Sequence, residues 1–230
     1  FAMFRSGPFG LGGEEHCAHA HCDLLSFVLW MKGVPLLVDS GSYIYHGPLR
    51  DHFRLTAAHN TVMVDGREQA IPMLYFNWKN VPSAKCVAWN EKSVTGVMPA
   101  LDGFVHTRTL NHPQSGIWEV TDVFTGAHEH TLEWFFHFAQ GIELEQQDNQ
   151  QKFIVRKGDA PFISLQVPDK LSCEVREGWY SADYGIKESN PVLHARWQGR
   201  LEGYSEPFHW KFQLIRDQLF SKGREDTHAN

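Results

Sequence analysis

Short apolar or alternating runs, each closed by turn residues, recur along the whole chain, and none sustains a helical period over three turns. That pattern restricts the fold to an all-β sandwich or barrel. LSFVLWM (25–31) meets VPLLV (34–38) across Lys32-Gly33, which predicts a tight hairpin. NTVMV (60–64) stops at Asp65-Gly66, a strong turn signal because both residues tolerate positive φ. Further strands are expected at 85–89, 93–98, 104–110, 117–124, 130–139, 152–156, 162–167 and 209–215. In TLEWFF the two-residue period puts Leu132, Trp134 and Phe136 on one face. DHFRLTAAH (51–59) holds at most one helical turn. A single domain over 1–222 with a polar, frayed tail at 223–230 is the expected organisation.

The chain has 230 residues, enough to bury a sizeable core. Its formal charge of −6 supplies no general basic field, which argues against nucleic acid or an anionic membrane as partner. An acidic polymer would need local arginines or a metal. The longest apolar stretch, Leu24 to Val38, is interrupted by Lys32, Gly33 and Pro35, so no membrane span is expected. No signal peptide is visible. The opening FAMFRSGPFGLGG reads as a strand running into a Gly-rich turn, a cut through a longer protein. Four cysteines in this length do not make a disulfide scaffold, and buried free thiols are the expectation.

Residues 16–27 read HCAHAHCDLLSF, with three histidines, two cysteines and an aspartate ahead of an apolar run. On a strand, His19, His21 and Asp23 would point the same way. A metal wants imidazole nitrogens and a carboxylate converging from different segments. HxHxD supplies at most two comfortably, so further ligands must come from downstream. Asp39 follows VPLLV at the buried end of a strand, and His59 stands at the entrance to the next one. An unpaired carboxylate there is costly. A cation held by His21, Asp39 and His59 removes that cost. The competing reading is a harmless polar strand edge. The remaining histidines read as structural. His128 and His130 flank Glu129 at a solvated turn, His137 is a hydrogen-bonded core residue, and His16 is loop.

GLGGEEHCAHAHCDLLSFVLWMKGVPLLVDSGSYIY followed by FRLTAAHNTVMVDGREQ resembles the C-terminal β-domain of the heparinase II/III-like polysaccharide lyases. The matching order is His-x-His-x-Asp, a hydrophobic hairpin ending in Val-Asp-x-Gly, then Arg-x-Thr-x-x-His-Asn-Thr before a strand closed by Asp-Gly. GWYSADYGIKESNPVL (178–193) is similar to the family more weakly. The resemblance implies an antiparallel multi-stranded β-sandwich that partners an N-terminal α/α toroid and cleaves uronic-acid polysaccharides by β-elimination. It implies that His19 is the active-site histidine. It also makes His21, Asp39 and His59 ligands of a mainly structural zinc. Cys17-Ala18 and Cys22 depart from the family pattern and would set thiols beside the metal.

The family's tyrosine acid/base lies on the toroid, so this chain carries half a site, inactive or nearly so alone. Elimination needs a base for the C5 proton, neutralisation of the uronate carboxylate, and an acid for the leaving oxygen. Arg50 and Arg54 are the charge-neutralising candidates, and Tyr43 and Tyr45 the sugar contacts. Packing competes for the tyrosines, and an ordinary surface position for the arginines. The other classes weighed are a non-catalytic carbohydrate-binding sandwich with a structural metal and, last, a cupin-like metalloenzyme. The acidic balance weakly disfavours a heavily sulfated substrate. A periplasmic or secreted location follows from the resemblance alone.

Overall fold

The computed structural model describes residues 1–12, 17–73, 76–99, 103–147 and 151–215. The polar tail and His16 lie outside the described residues. Strands β1 (Ala2–Phe4), β2 (Phe27–Met31) and β3 (Val34–Leu37) form a small antiparallel sheet. The turn between β2 and β3 falls where the sequence puts it, with Lys32 and Gly33 both at positive φ. A six-residue helix, α1 (Leu49–Arg54), and a 3-10 turn (Thr56–Ala58) lead into β4 (Val62–Val64). Asp65 and Gly66 then reverse the chain with positive φ. A two-stranded hairpin follows, β5 (Ile71–Met73) with β6 (Asn77–Lys79).

The large sheet is organised by β10 (Ile117–His137), 21 residues long. Its first half pairs with β9 (Val105–Asn111), which continues outward to β8 (Ser93–Pro99) and β7 (Lys85–Trp89). On its other side that half pairs with β16 (Phe208–Leu214). Beyond β16 lie β13 (Ala160–Gln166), β12 (Lys152–Lys157) and β11 (Ile142–Gln146). The second half of β10 changes partners, pairing with β4 and with β15 (Glu188–Tyr204), which carries β14 (Ser172–Tyr180). All of these pairings are antiparallel.

The two halves of β10 thus belong to two packed layers. Phe136 from the second half meets Trp210 and Phe212 of β16 at ring-centroid distances of 4.7 and 6.0 Å, although β16 is hydrogen-bonded only to the first half. Leu132, Trp134 and Phe136 have no exposed surface, as the two-residue period predicts. The expected all-β antiparallel sandwich is the observed fold.

One expectation fails here. The sequence suggests a turn at 128–130, but β10 runs through it and only kinks, with His128 at φ 79. Continuous pairing with β15 from Thr125 to His137 supplies the backbone partners that a reversal would break. His128 is exposed as expected, while His130 is half-buried and bonds Asp65 and the Ala127 carbonyl.

A second, smaller apolar cluster joins Phe9, Cys17, Cys22, Leu24, Leu25 and Trp78. It underlies the histidine-rich loop and fixes where the site can form.

Candidate metal centre

The HxHxD run is not a strand. Residues 17–26 form turns instead, because both cysteines are drawn inward. Cys17 Sγ lies 3.7 Å from the Phe9 carbonyl and Cys22 Sγ 3.6 Å from the Ala70 carbonyl, both within the smaller apolar cluster. The Cys22 N–H donates to the Arg54 carbonyl at 2.8 Å. Pinned at both ends, the loop arches over His19–His21. Asp23 stands 3.6 Å from Arg5 Nε and lines the same groove as His19 and His21, without joining the converging group of His21, Asp39 and His59. The thiols are thus engaged with backbone carbonyls and are not members of that group. Burial pushes the Cys22 thiol up to about 12.

Three side chains from three segments do converge. One ligand atom each from His21, Asp39 and His59 lies within 4.8 Å of the others. A tetrahedral zinc with bonds of about 2.1 Å holds its ligands roughly 3.4 Å apart, so contraction by at most about 1.4 Å would close the set. Asp39 follows β3 directly, and its Oδ1 accepts the Gly41 N–H at 2.9 Å. Its Oδ2 stands 2.7 Å from His59 Nδ1. His59 closes the 3-10 turn with no exposed surface, and its Nε2 is buried with no hydrogen-bond partner among the described residues. The His21 ring lies 5.2 Å from that of His59, with Nε2 at 3.4 Å from Ser42 Oγ. Two imidazoles, one of them with an orphaned ring nitrogen, and one carboxylate fit a divalent cation of the zinc type.

The electrostatics favour ligation at His21 and Asp39, while His59 would have to give up its proton on metal binding. Burial, then the neighbouring His59, push the His21 imidazole down to about 4, so it is neutral and able to ligate at pH 7. Burial would raise Asp39, but its contacts with His59 and Gly41 prevail and hold it at about 2. Burial would lower His59, yet the Asp39 charge and hydrogen bond raise it above the ordinary imidazole value. The 40% of the Asp39 side chain still open to solvent gives an ion a way in.

The rest of the motif fastens these three side chains. Asn60 donates to the carbonyls of Phe27 and Val38 at 2.7 and 2.9 Å and accepts the His137 N–H at 2.6 Å, tying β2, the end of β3 and β10 together. Ser40 Oγ donates to the Ala58 carbonyl at 2.6 Å and stands 3.2 Å from His137 Nδ1. His137 is thus the hydrogen-bonded core residue that the sequence suggests. Thr61 donates to the Leu24 carbonyl, while Glu68 and Gln69 return from the Asp65-Gly66 turn to bond Thr56 and Leu24.

His19 and His21 line a narrow pocket of about 50 Å³ with Ser42, Tyr45, Arg50 and Arg54, and an open groove of about 650 Å³ with Arg5 and Leu11. Tyr45 reaches the pocket, its ring 5.6 Å from that of His19. Tyr43 does not line it and packs on Phe53 at 5.7 Å, which is the packing alternative. Neither arginine is a surface residue. Arg50 is 8% exposed and lies over Phe76 at 5.0 Å; Arg54 is 3% exposed, lies over Trp78 at 4.5 Å and donates to Asp51 at 2.7 Å. Sequence reasoning missed Ser42, Phe76 and Tyr184 at this opening. Tyr184 carried a usable signal, an aromatic residue inside a turn-forming SADYG segment.

Comparison with known proteins followed the same lines. The family model described as Heparinase II/III-like, C-terminal, matches residues 1–211. A heparin-sulfate lyase from Bacteroides stercoris is 23% identical over 185 residues, which are 75% of this chain and 26% of that protein. The solved heparan sulfate lyase HepC from Pedobacter heparinus has a TM-score of 0.76 at 20% identity, covering 94% of this chain and 33% of that one. A heparinase III structure gives 0.70 at 19% identity, covering 95% of this chain and 33% of that one. The chain thus spans no more than a third of the length of these relatives, and at such identities the structural likeness speaks for the fold alone.

Proposed function

This chain belongs to the heparinase II/III-like, C-terminal family, and from that premise we propose that it is the metal-bearing β-domain of a lyase cleaving uronic-acid-containing polysaccharide by β-elimination. The observation that carries the reading is the convergence of His21, Asp39 and His59 beside His19 at the mouth of an open groove. Zinc is the ion we assign, since the donor set is two imidazoles and a carboxylate; when bound it supplies a fixed positive charge that braces the loop carrying His19. His19 is the group we assign to proton transfer at the sugar, because it borders both pocket and groove. Arg50 offers a positive charge in that pocket for a uronate carboxylate, and Tyr45 a ring for a sugar face. Arg54, already engaged by Asp51 and Trp78, would act on charge from a fixed position. Tyr43 is the weakest of the assigned contacts.

The complementary acid/base is assigned to an N-terminal α/α toroid, and this chain alone is proposed to be inactive. That division is supported by the short share of each relative that the chain spans. Because a polysaccharide of that size is met outside the cytoplasm, a periplasmic or secreted location is part of the same proposal.

The test has two arms. Elemental analysis of the purified protein is expected to find about one zinc per chain, lost in His21→Ala. Heparan sulfate and alginate, incubated with the full-length parent and with this chain alone, are expected to yield unsaturated products only with the parent. A second reading, a non-catalytic carbohydrate-binding sandwich, draws support from the exposed Tyr45–Tyr184 pair, whose ring centroids are 5.4 Å apart. It prevails if the zinc-loaded parent binds these polymers and yields no unsaturated product.

A further inference from the structure

We propose that Phe76, Tyr45 and Tyr184 form an aromatic track that carries consecutive sugar residues of a uronate polymer past His19; this rests on the cleft being the polysaccharide site argued above. The rings of Phe76, His19, Tyr45 and Tyr184 follow one another with centroid separations of 6.0, 5.6 and 5.4 Å. Each step is comparable to one pyranose unit. Phe76 is 42% exposed, Tyr45 43% and Tyr184 61%. Single exposed aromatics are ordinary on protein surfaces. Trp89 and Tyr204 are such cases, each 80% exposed and without a ring neighbour among the described residues. Four rings in a row, drawn from four distant segments, are a different matter.

The row is also built rather than draped. Tyr184 sits in the turn between β14 and β15, which is sewn to the segment carrying Asp39 and Tyr45. The Ser181 N–H donates to the Ser40 carbonyl at 2.9 Å, and the Gly185 N–H to the Tyr43 carbonyl at 2.8 Å. The Tyr45 N–H donates to Tyr184 Oη at 3.2 Å, so the phenol is anchored while its ring stays open. At the other end the Arg50 guanidinium lies 5.0 Å over Phe76, putting a cation where a sugar on that ring would carry its carboxylate. A pyranose presents an apolar C–H face and a polar edge, and this arrangement offers a partner to each.

The experiment measures binding of a heparan sulfate disaccharide and hexasaccharide to the full-length zinc-loaded parent by calorimetry, beside zinc content and melting temperature. The wild type is expected to bind the hexasaccharide far more tightly. Tyr184→Ala and Phe76→Ala are each expected to weaken hexasaccharide binding roughly threefold to tenfold and to leave disaccharide binding, zinc and melting nearly unchanged. Tyr184→Phe keeps the ring and is expected to restore the affinity. The track is overturned if both alanine variants bind the hexasaccharide like the wild type. It is also overturned if Tyr184→Phe is as weak as Tyr184→Ala, or if the loss of affinity accompanies loss of zinc. Failure of the lyase reading is a separate result, the absence of unsaturated product from the loaded wild type.

Discussion

Arg108 and Asp122 form a bidentate ion pair without exposed surface, Nε to Oδ1 at 2.7 Å and Nη2 to Oδ2 at 3.0 Å. Asp122 also accepts from Trp134 Nε1 at 2.9 Å, and Arg108 Nη1 donates to the carbonyls of Leu25 and Asn60 at 2.8 and 2.7 Å. The pair therefore joins β9, both halves of β10 and the two segments that flank the proposed metal site, the second half of β10 through Trp134 and Asp122. Arg108→Met would leave a carboxylate buried without its counter-charge, and a loss of about 3–5 kcal/mol is expected from urea unfolding. Replacing both partners by apolar residues is expected to cost less than the two single changes together. Additive losses would show that the pair is not the unit proposed.

Stability is expected to fall with acid, and the sign follows from the histidines. Burial holds His106 below the ordinary imidazole value and takes His137 and His21 down to about 4. The unfolded chain therefore takes up these protons first, from about pH 6.5 downward. Their contribution is complete above that value and is lost progressively toward pH 4. Asp122, held far below the carboxylate range by Arg108 and His106 against the effect of burial, loses its contribution only below about pH 4. His59 acts in the opposite sense, because its value is raised; its stabilisation is complete in acid and is lost as pH rises through its folded value. With His52 also lowered by burial, four lowered imidazoles among the described residues outweigh one raised. Melting temperature measured in chelator is expected to drop steadily between pH 7 and pH 4, and a flat profile would contradict the buried neutral histidines.

Much of this was legible because it is local. The Lys32-Gly33 and Asp65-Gly66 turns need positive φ, and the residues announce it. The convergence of Asp39 with His21 and His59 was legible because a strand-end aspartate and two histidines are costly to place without a partner. What escaped the sequence depends on tertiary pairing. β15 alternates Leu193, Ala195 and Trp197 inward, but Pro191 and the glycines at 199 and 203 interrupt the pattern, and only its long ladder with β10 holds it as a strand. HxHxD read as a strand by period, yet the pull of Cys17 and Cys22 into an apolar cluster set its shape. Arg108 and Asp122 gave no signal, since an alternating FVHTRTL run does not reveal that its arginine points inward.

Gly41 is expected to be indispensable to the proposed metal centre. It has φ +78, its N–H holds Asp39 Oδ1, and a Cβ there would be driven into the Ser181 carbonyl. Gly41→Ala combines backbone strain of about 1–3 kcal/mol with that clash. The turn must open, and the Asp39 carboxylate must move with it. Zinc affinity measured against a competing chelator is expected to fall by roughly tenfold or more, a loss of about 1.4 kcal/mol. Unchanged affinity would mean that Asp39 is positioned by His59 alone.

Thiol chemistry offers a check on which atoms ligate. Cys86 is exposed, while Cys17 and Cys22 are buried. The thiolate is the reactive form, and a thiol at about 12 holds roughly one thiolate in ten thousand at pH 8. Cys173, half-buried and likewise pushed up to about 12, is slowed for the same reason. In the native protein a thiol reagent is expected to label Cys86 first, Cys173 slowly, and Cys17 and Cys22 only on unfolding. Zinc content should be unaffected by labelling at Cys86. The informative case is the chelated protein. If Cys22 is turned into its apolar cluster, removing zinc leaves its reactivity unchanged; if its sulfur were a ligand, chelation would release a thiolate and its labelling would accelerate sharply.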